Sequence, residues 1–229
     1  MASLQASQPA LEQYRKRAKV YDLELAAFEP IRRNAIARLN LAPGHTVIDV
    51  GCGTGLSFTH LQQAIGPRGH LIGIEQSPEM LTLARTRVAQ NGWNNVTLLN
   101  APAEEAAIPG MANAALFHFT HDILRNPTAI RNVVDKLQPG AHVVAVGLQW
   151  AAPWAWPING FVLLAAMRSV TRMEGLGQPW SLLAEQVGKM EVNSTLLGGV
   201  YIASGTITQR PVAGFQKMKR RPGRRKTPH

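Results

Sequence analysis

Asp49 closes an apolar run and is followed by three glycines at alternate positions, Gly51, Gly53 and Gly55, in the stretch VIDVGCGTG. Glycines at this spacing let backbone N–H groups turn toward a ligand, and in many proteins that ligand is a phosphate. The acid at the mouth argues against phosphate, because a carboxylate repels a pyrophosphate but attracts an ammonium group and accepts its hydrogen bonds. Neither dinucleotide frame is intact. The place that must hold Gly or Ala is Leu56 counted from Gly51 and Phe58 counted from Gly53, and no lysine stands nearby to make a Walker loop. A second carboxylate, Glu75, comes 26 residues after Asp49. An acid placed so, at the end of the next strand, takes both hydroxyls of a ribose.

Other residues that could do chemistry lie further along. His118, His121 and Asp122 fall in FHFTHDILRNP. If the strand there ends near Phe119, His121 and Asp122 enter the loop beside the ligand, with His121 as a base or substrate-orienting group and Asp122 as its partner; the competing reading makes Asp122 a helix cap and His121 a rim residue. Tyr14 and Tyr21 are seven apart, on one helical face, either as a packing stripe or as a lid whose hydroxyl reaches the site. Trp150, Trp154 and Trp156 fall within seven residues of an apolar connection. They read as a substrate lid for a flat, aliphatic or cationic acceptor, as core, or as an interfacial anchor. Cys52 is the sole cysteine. It excludes an internal disulfide and a cysteine-based metal cluster, and its place between two glycines reads as a small filler. No metal site is expected.

The elements that must position these groups follow from periodicity. Leu11, Tyr14, Ala18, Tyr21, Leu25 and Phe28 recur at helical spacing, and Pro30 opens a second helix, PIRRNAIARLNL. Strands are expected at Val47–Val50, HLIGIE, NVTLL, ANAALFHFT and AHVVAVGLQW, separated by the helices LSFTHLQQAIG, SPEMLTLARTRVAQNG and NPTAIRNVVDKLQPG. The last of these helices is expected to run to Gln138-Pro139-Gly140. Strands alternating with helices at this spacing predict an α/β fold, a Rossmann-like, doubly wound, mostly parallel sheet. The end breaks that rhythm. After the helix around PWSLLAEQVG, MEVNSTLLGG and VYIASGTITQ alternate in character around Gly198-Gly199, which predicts an antiparallel hairpin at the sheet edge and brings the strand count to seven.

A chain of 229 residues with 45% apolar side chains suits one domain, here 1–208, with lid helices over 10–40, a substrate lid insertion over 150–180 and a basic tail from 209 to 229. The net charge of +10 belongs to that tail. Eight of the 24 Lys and Arg and none of the 14 acids lie from Gln209 onward, so the preceding body is nearly neutral. A solvated, disordered end is the plain reading, with an anionic membrane surface or RNA as functional ones. No apolar leader follows the first charges and no stretch offers about 18 uninterrupted apolar residues, so a cytoplasmic protein is expected, peripheral to a membrane at most.

S-adenosylmethionine carries an ammonium, a sulfonium and a ribose but no phosphate, and it fits the two acids. VIDVGCGTG, LIGIEQSPEML, ALFHF and LQPGAHVVAVG together resemble the successive motifs of class I S-adenosylmethionine-dependent methyltransferases, over roughly residues 10 to 207. YRKRAKVYD is similar to the opening helix of the branch that holds quinone and phospholipid methyltransferases. The resemblance implies that Asp49, Gly51, Cys52, Gly53 and Gly55 hold the methionine end and that Glu75 takes the ribose, with S-adenosylhomocysteine as product and no metal. It further implies that Gln76, Met80 and Phe119 pack beside the cofactor, with Tyr14 and Tyr21 reaching it from the lid. The family's acid after the third strand is absent: APAEE puts Pro102 there, leaving the backbone near Ala103 and Glu104 for the adenine. The acceptor implied is a small, partly apolar molecule methylated on N or O. A peripheral phospholipid or quinone methyltransferase is the alternative, with non-methyl chemistry of the same cofactor and an RNA-binding module as further rivals. The lack of an Asn/Asp-Pro-Pro-Tyr/Phe motif argues against a nucleic-acid acceptor.

Overall fold

The computed structural model describes residues 28–169 and 175–208. Tyr14, Tyr21, the first lid helix and the basic tail lie outside the described residues. Helix α1 (Glu29–Ala37) precedes the first strand, β1 (Thr46–Val50), and is followed by α2 (Phe58–Ile65), β2 (His70–Glu75), α3 (Pro78–Gln90), β3 (Val96–Asn100) and β4 (Ala112–His118). The chain continues through α4 (His121–Leu124), α5 (Pro127–Val134), β5 (Leu137–Leu148), α6 (Trp156–Ser169), α7 (Ser181–Val187), β6 (Met190–Thr195) and β7 (Val200–Thr206).

The seven strands lie in the order β3-β2-β1-β4-β5-β7-β6. The first five are parallel, and β7 runs antiparallel between β5 and the edge strand β6. The chain winds outward from β1 to β3 and then returns to place β4 beside β1. That reversal opens a crevice at the carboxyl ends of β1 and β4, the usual position of a ligand in such sheets.

Local chemistry explains the elements. Ser77 caps α3 by accepting a hydrogen bond from the Met80 N–H, Asn126 caps α5 by accepting from the N–H groups of Thr128 and Ala129, and a proline follows each cap in the first turn. The central strands are apolar without alternation because helices cover both faces. On one face Ile31, Ala35 and Ile36 of α1, Leu39 just after it, Phe58 and Leu61 of α2 and Leu81 of α3 pack on Val47, Leu71, Leu116 and Val146. On the other, Ala129, Ile130 and Val133 of α5 and Leu183 and Val187 of α7 pack on Ile48, Ile72, Ala115 and Tyr201. Each fully buried Leu or Ile contributes about 1.5–3 kcal/mol.

Three details differ from the sequence reading. Strand β5 begins at Leu137, and Pro139-Gly140 lie inside it; the helix before it ends at Val134. Gly140 keeps the strand tied to its neighbour, its N–H donating to the Ile207 carbonyl. The hairpin turn is not Gly198-Gly199 alone. It spans Leu196 to Gly199, with Leu196 and Leu197 themselves in the left-handed region at φ 50° and 54°. Finally, His121 and Asp122 begin a one-turn helix rather than a loop, because Phe119, at φ 57°, turns the chain and Thr120 occupies the N-cap position.

Candidate functional site

Among the described residues, Arg32 and Asp49 are the only Lys, Arg, Asp or Glu that are buried, at 2% and 1% exposure. Burying a charge is costly without a partner, so this pair marks the place to begin. Asp49 is the fourth residue of β1 and lies on the side of the sheet that α1 covers. Arg32 falls in the apolar stripe of α1, where Ala35, Ile36 and Leu39 follow at three, four and seven residues. Glu29 accepts a hydrogen bond from Arg32 Nη1 and another from Arg33 Nε, and its Oε1 also meets His60 Nε2. Burial opposes ionisation of Glu29, but these hydrogen bonds and the Arg32 charge outweigh it and hold the carboxyl below its usual range.

Arg32 and Asp49 both line a small cavity of about 40 Å³ with Gly51, Cys52, Gly53, His118 and Phe119. Arg32 Nε and Asp49 Oδ2 have no hydrogen-bond partner there. Burial, opposed by Arg32 and reinforced by Glu75, raises the Asp49 pKa to about 7. The cavity therefore offers a cation donor and a latent anion side by side. That is the complement of an amino-acid zwitterion, with carboxylate toward Arg32 and ammonium toward Asp49.

A second cavity, about 340 Å³, lies within the size range of ligand clefts and shares Gly51, Gly53, His118 and Phe119 with the first. It is further lined by Glu75, Gln76, Met80, Ala103, Glu104, Thr120 and Ile123. Glu75 Oε2 accepts from the Gly53 N–H at 3.0 Å and Oε1 from the Ser77 N–H at 2.8 Å. Each oxygen keeps a free lone pair for a hydroxyl. Asn100 steadies this corner by donating to the carbonyls of Glu75 and Gln76, and Asn132 pins the next loop by donating to those of Ala103 and Ala106.

The glycines divide the work. Gly51 adopts φ 69°, and a Cβ there would lie 2.5 Å from Thr120 Cγ2, so the loop can pass beneath α4 only without a side chain. Gly53 has no atom within 4 Å of its Cβ position, so a side chain there would project into open space at the cavities it lines. Gly55 lines neither cavity; its missing Cβ admits the Phe58 ring, 2.7 Å from where that atom would stand. Cys52 lines the small cavity, and burial pushes its thiol pKa well up, which keeps it protonated and unreactive.

At the junction of the cavities stands His118. Burial, with the Arg32 charge, lowers its pKa to about 3, so the ring is neutral at physiological pH, and its Nε2 has no partner. Phe119 packs edge-on against His118 and Phe28, with centroid separations of 4.9 and 5.0 Å. His121 and Asp122 line neither cavity. The turn at Phe119 ends β4 one residue early and gives His118 the position assigned to His121 from spacing. Trp150, Trp154 and Trp156 also line neither cavity, and Trp154 and Trp156 are each 75% exposed.

The ten residues Asp49, Gly51, Cys52, Gly53, Glu75, Gln76, Met80, Ala103, Glu104 and Phe119 thus meet around one crevice. Sequence reasoning passed over Arg32 and favoured His121 over His118. The signal for Arg32 was an arginine in register with an apolar helix stripe; for His118 it was alternation along β4 with Leu116 and Ala114. A larger hollow, about 620 Å³ and lined by neutral side chains around Gln62 and Asn95, opens at the amino ends of β2 and β3 and carries no titratable group. Among the described residues no cluster of three or more His, Cys, Asp or Glu could hold a metal ion.

Residues 47–140 match a family model described as a methyltransferase domain. The chain is 34% identical over 113 residues to carboxy-S-adenosyl-L-methionine synthase of Methylococcus capsulatus, covering 47% of each. To demethylmenaquinone methyltransferase of Anoxybacillus flavithermus it is 28% identical over 125 residues, 50% of this chain and 49% of the relative. The chain therefore spans about half the length of these curated relatives. A solved structure of a SAM-dependent methyltransferase from Aquifex aeolicus aligns with a TM-score of 0.59 and 20% identity over 83% of this chain and 97% of that one, a likeness of fold.

Proposed function

We propose that the chain is a class I S-adenosylmethionine-dependent methyltransferase, as the methyltransferase-domain match over residues 47–140 and the partial likeness to its relatives support, and that it moves a methyl group from this cofactor to nitrogen or oxygen of a small, partly apolar molecule. The observation that carries the cofactor assignment is the buried pair Arg32 and Asp49, each with an unpartnered polar atom at one small cavity that Gly51 and Gly53 also line, with the Gly53 N–H donating to Glu75. Arg32 holds the cofactor's carboxylate, Asp49 its ammonium and Glu75 its ribose hydroxyls, while Gln76, Met80 and the Ala103–Glu104 backbone wall the base.

The cofactor supplies an activated methyl, so no protein nucleophile is needed and positioning does most of the work. His118 is too weakly basic to store a proton at neutral pH. As a neutral acceptor it orients an N–H or O–H of the incoming molecule, and Ile123 and Phe119, the latter backed by Phe28, supply an apolar wall. His121 and Asp122 sit one turn further, and the proton of an acidic acceptor leaves to solvent or through that helix end.

A second reading keeps the cofactor and changes the chemistry. The identity to a carboxy-S-adenosyl-L-methionine synthase favours it, since the same cradle can hold the cofactor as the molecule being modified. Calorimetry with S-adenosylhomocysteine tests the shared premise: binding is expected, and Glu75→Ala is expected to weaken it; no heat, or an unchanged affinity in the variant, sinks the cofactor assignment. Product mass after incubation with cell extract and methyl-labelled cofactor separates the two readings, because only the first places label on an acceptor.

A further inference from the structure

Arg32 and Asp49 line the same small cavity, yet among the described residues the sole ion-pair partner of Arg32 is Glu29. Opposite charges buried together ordinarily close on one another, because each has lost its water and the other is the nearest replacement. A third group holds these two apart. Glu29, the first residue of α1, divides its carboxylate: Oε2 accepts from Arg32 Nη1 one turn along the same helix, while Oε1 accepts from Arg33 Nε at 3.2 Å and meets His60 Nε2 of α2. One oxygen thus takes up the buried guanidinium and the other ties α1 to its neighbour. Arg32 Nε is left without a partner, and so is Asp49 Oδ2.

We propose that Glu29 is a positioning residue: by engaging Arg32 it keeps the guanidinium from closing on Asp49, so that cation and acid stay vacant for the two ends of an amino-acid zwitterion. Glu29 lines neither cavity, so it acts through Arg32 and not on the ligand. Its place suits the task. At the head of α1 a carboxylate is favoured by the helix dipole, and the i, i+3 spacing lets it meet Arg32. His60 braces the carboxylate from the neighbouring helix, so its position does not depend on α1 alone. The other titratable groups facing Asp49 are Glu75, Cys52 and the neutral His118, which leaves Arg32 as the one cation lining this cavity. The inference rests on the reading of the crevice as a cofactor site and deepens it by assigning the residue that keeps that site open.

Calorimetry of the full chain with S-adenosylhomocysteine reads the effect. Glu29→Ala should weaken binding about tenfold, and Glu29→Gln, which retains an acceptor without the charge, by less. In an Arg32→Met background the loss of Glu29 should change affinity no further, because its effect passes through Arg32. Arg33→Ala, which removes only an exposed partner of the same carboxylate, should leave affinity within about twofold. A second readout needs no ligand. The carboxyl-carbon NMR signal of Asp49 should titrate near pH 7 in wild type, at lower pH in Glu29→Ala, where Arg32 is released to pair with it, and high again in Glu29→Ala with Arg32→Met, where that cation is gone. A loosened α1 would keep it low in both variants and overturn the proposal. So would a Glu29→Ala variant that binds as tightly as wild type, a loss as large without Arg32 as with it, or an Asp49 titration alike in wild type and Glu29→Ala. Absence of binding by wild type removes the cofactor assignment, while the Asp49 titration still decides whether Glu29 holds Arg32 away, so the two failures are distinguishable.

Discussion

Around β1, β2 and β4 the carboxyl edge of the sheet buries charge: Arg32 and Asp49 are almost wholly covered, and each leaves a polar atom without a partner. Around β5 and β7 the same edge does the reverse and turns Trp154, Trp156 and Leu197 into water with no charged residue among them. Both regions hold non-glycine residues in the left-handed region, but Phe119 is braced by the rings of Phe28 and His118, whereas Leu196 and Leu197 are exposed. Each arrangement is unfavourable for the protein alone. A buried unpartnered charge lowers stability, and an exposed apolar tip lowers solubility. The difference in chemistry is that of an enclosed, charged crevice against an exposed, uncharged tip on one edge.

The largest effect expected is at Gly51. Gly51→Val combines left-handed strain with a Cβ only 2.5 Å from Thr120 Cγ2, and should cost about 3–5 kcal/mol in denaturant unfolding. Gly53→Ala shares the strain but meets no atom within 4 Å; it should cost about 1 kcal/mol and chiefly weaken cofactor binding. Equal losses at the two positions would show that backbone conformation alone governs the loop.

Next comes the pH dependence created by Asp49. Its folded pKa is about 7 against an ordinary value of 3.8, so between those values the folded state retains a proton that the unfolded state has released. Stability should fall as pH rises through that window, by up to about 4 kcal/mol, and Asp49→Asn should remove the slope. Urea unfolding at pH 5 and pH 8 reads both. A flat wild-type profile would mean that Arg32 already keeps Asp49 ionised in the free protein.

Arg32→Met retains most of the buried volume but removes the cation. S-adenosylhomocysteine affinity should fall about ten- to a hundredfold, the loss of a charge-assisted hydrogen bond worth about 1.5–3 kcal/mol. Undiminished affinity in calorimetry would assign the cofactor's carboxylate to another group. The smallest effect belongs to the opposite region. Trp154→Ser with Trp156→Ser should change unfolding free energy by no more than about 0.5 kcal/mol, because exposed side chains contribute little to folding. A drop of several degrees in Tm would show instead that the tryptophans are packed in solution and would erase the contrast between the two regions.

Most of the fold was legible because its signals are local. Apolar runs, Ser77-Pro78 and Asn126-Pro127 caps and alternating glycines act within a few residues, and parallel crossovers admit few topologies. The two acids of the crevice were legible for the same reason, since strand ends at fixed spacing place Asp49 and Glu75 on one edge. Arg32 and His118 were harder to see. An arginine in an apolar helix stripe and a histidine ending a buried strand have no meaning until another element supplies the facing group.

The amino-acid sequence alone determined the doubly wound sheet, the glycine-rich turn after the first strand and the separation of a nearly neutral body from a basic end, all of which depend on periodicity and charge along the chain. Tertiary structure decided the rest. It brought α1 over β1 so that Arg32 and Asp49 line one small cavity, and the left-handed turn at Phe119 put His118 rather than His121 at the crevice. It also turned Leu196 and Leu197 outward at a hairpin whose strands pair only in the folded sheet. These are contacts between residues far apart in sequence, whose energies arise from burial and mutual distance, quantities that no local pattern contains.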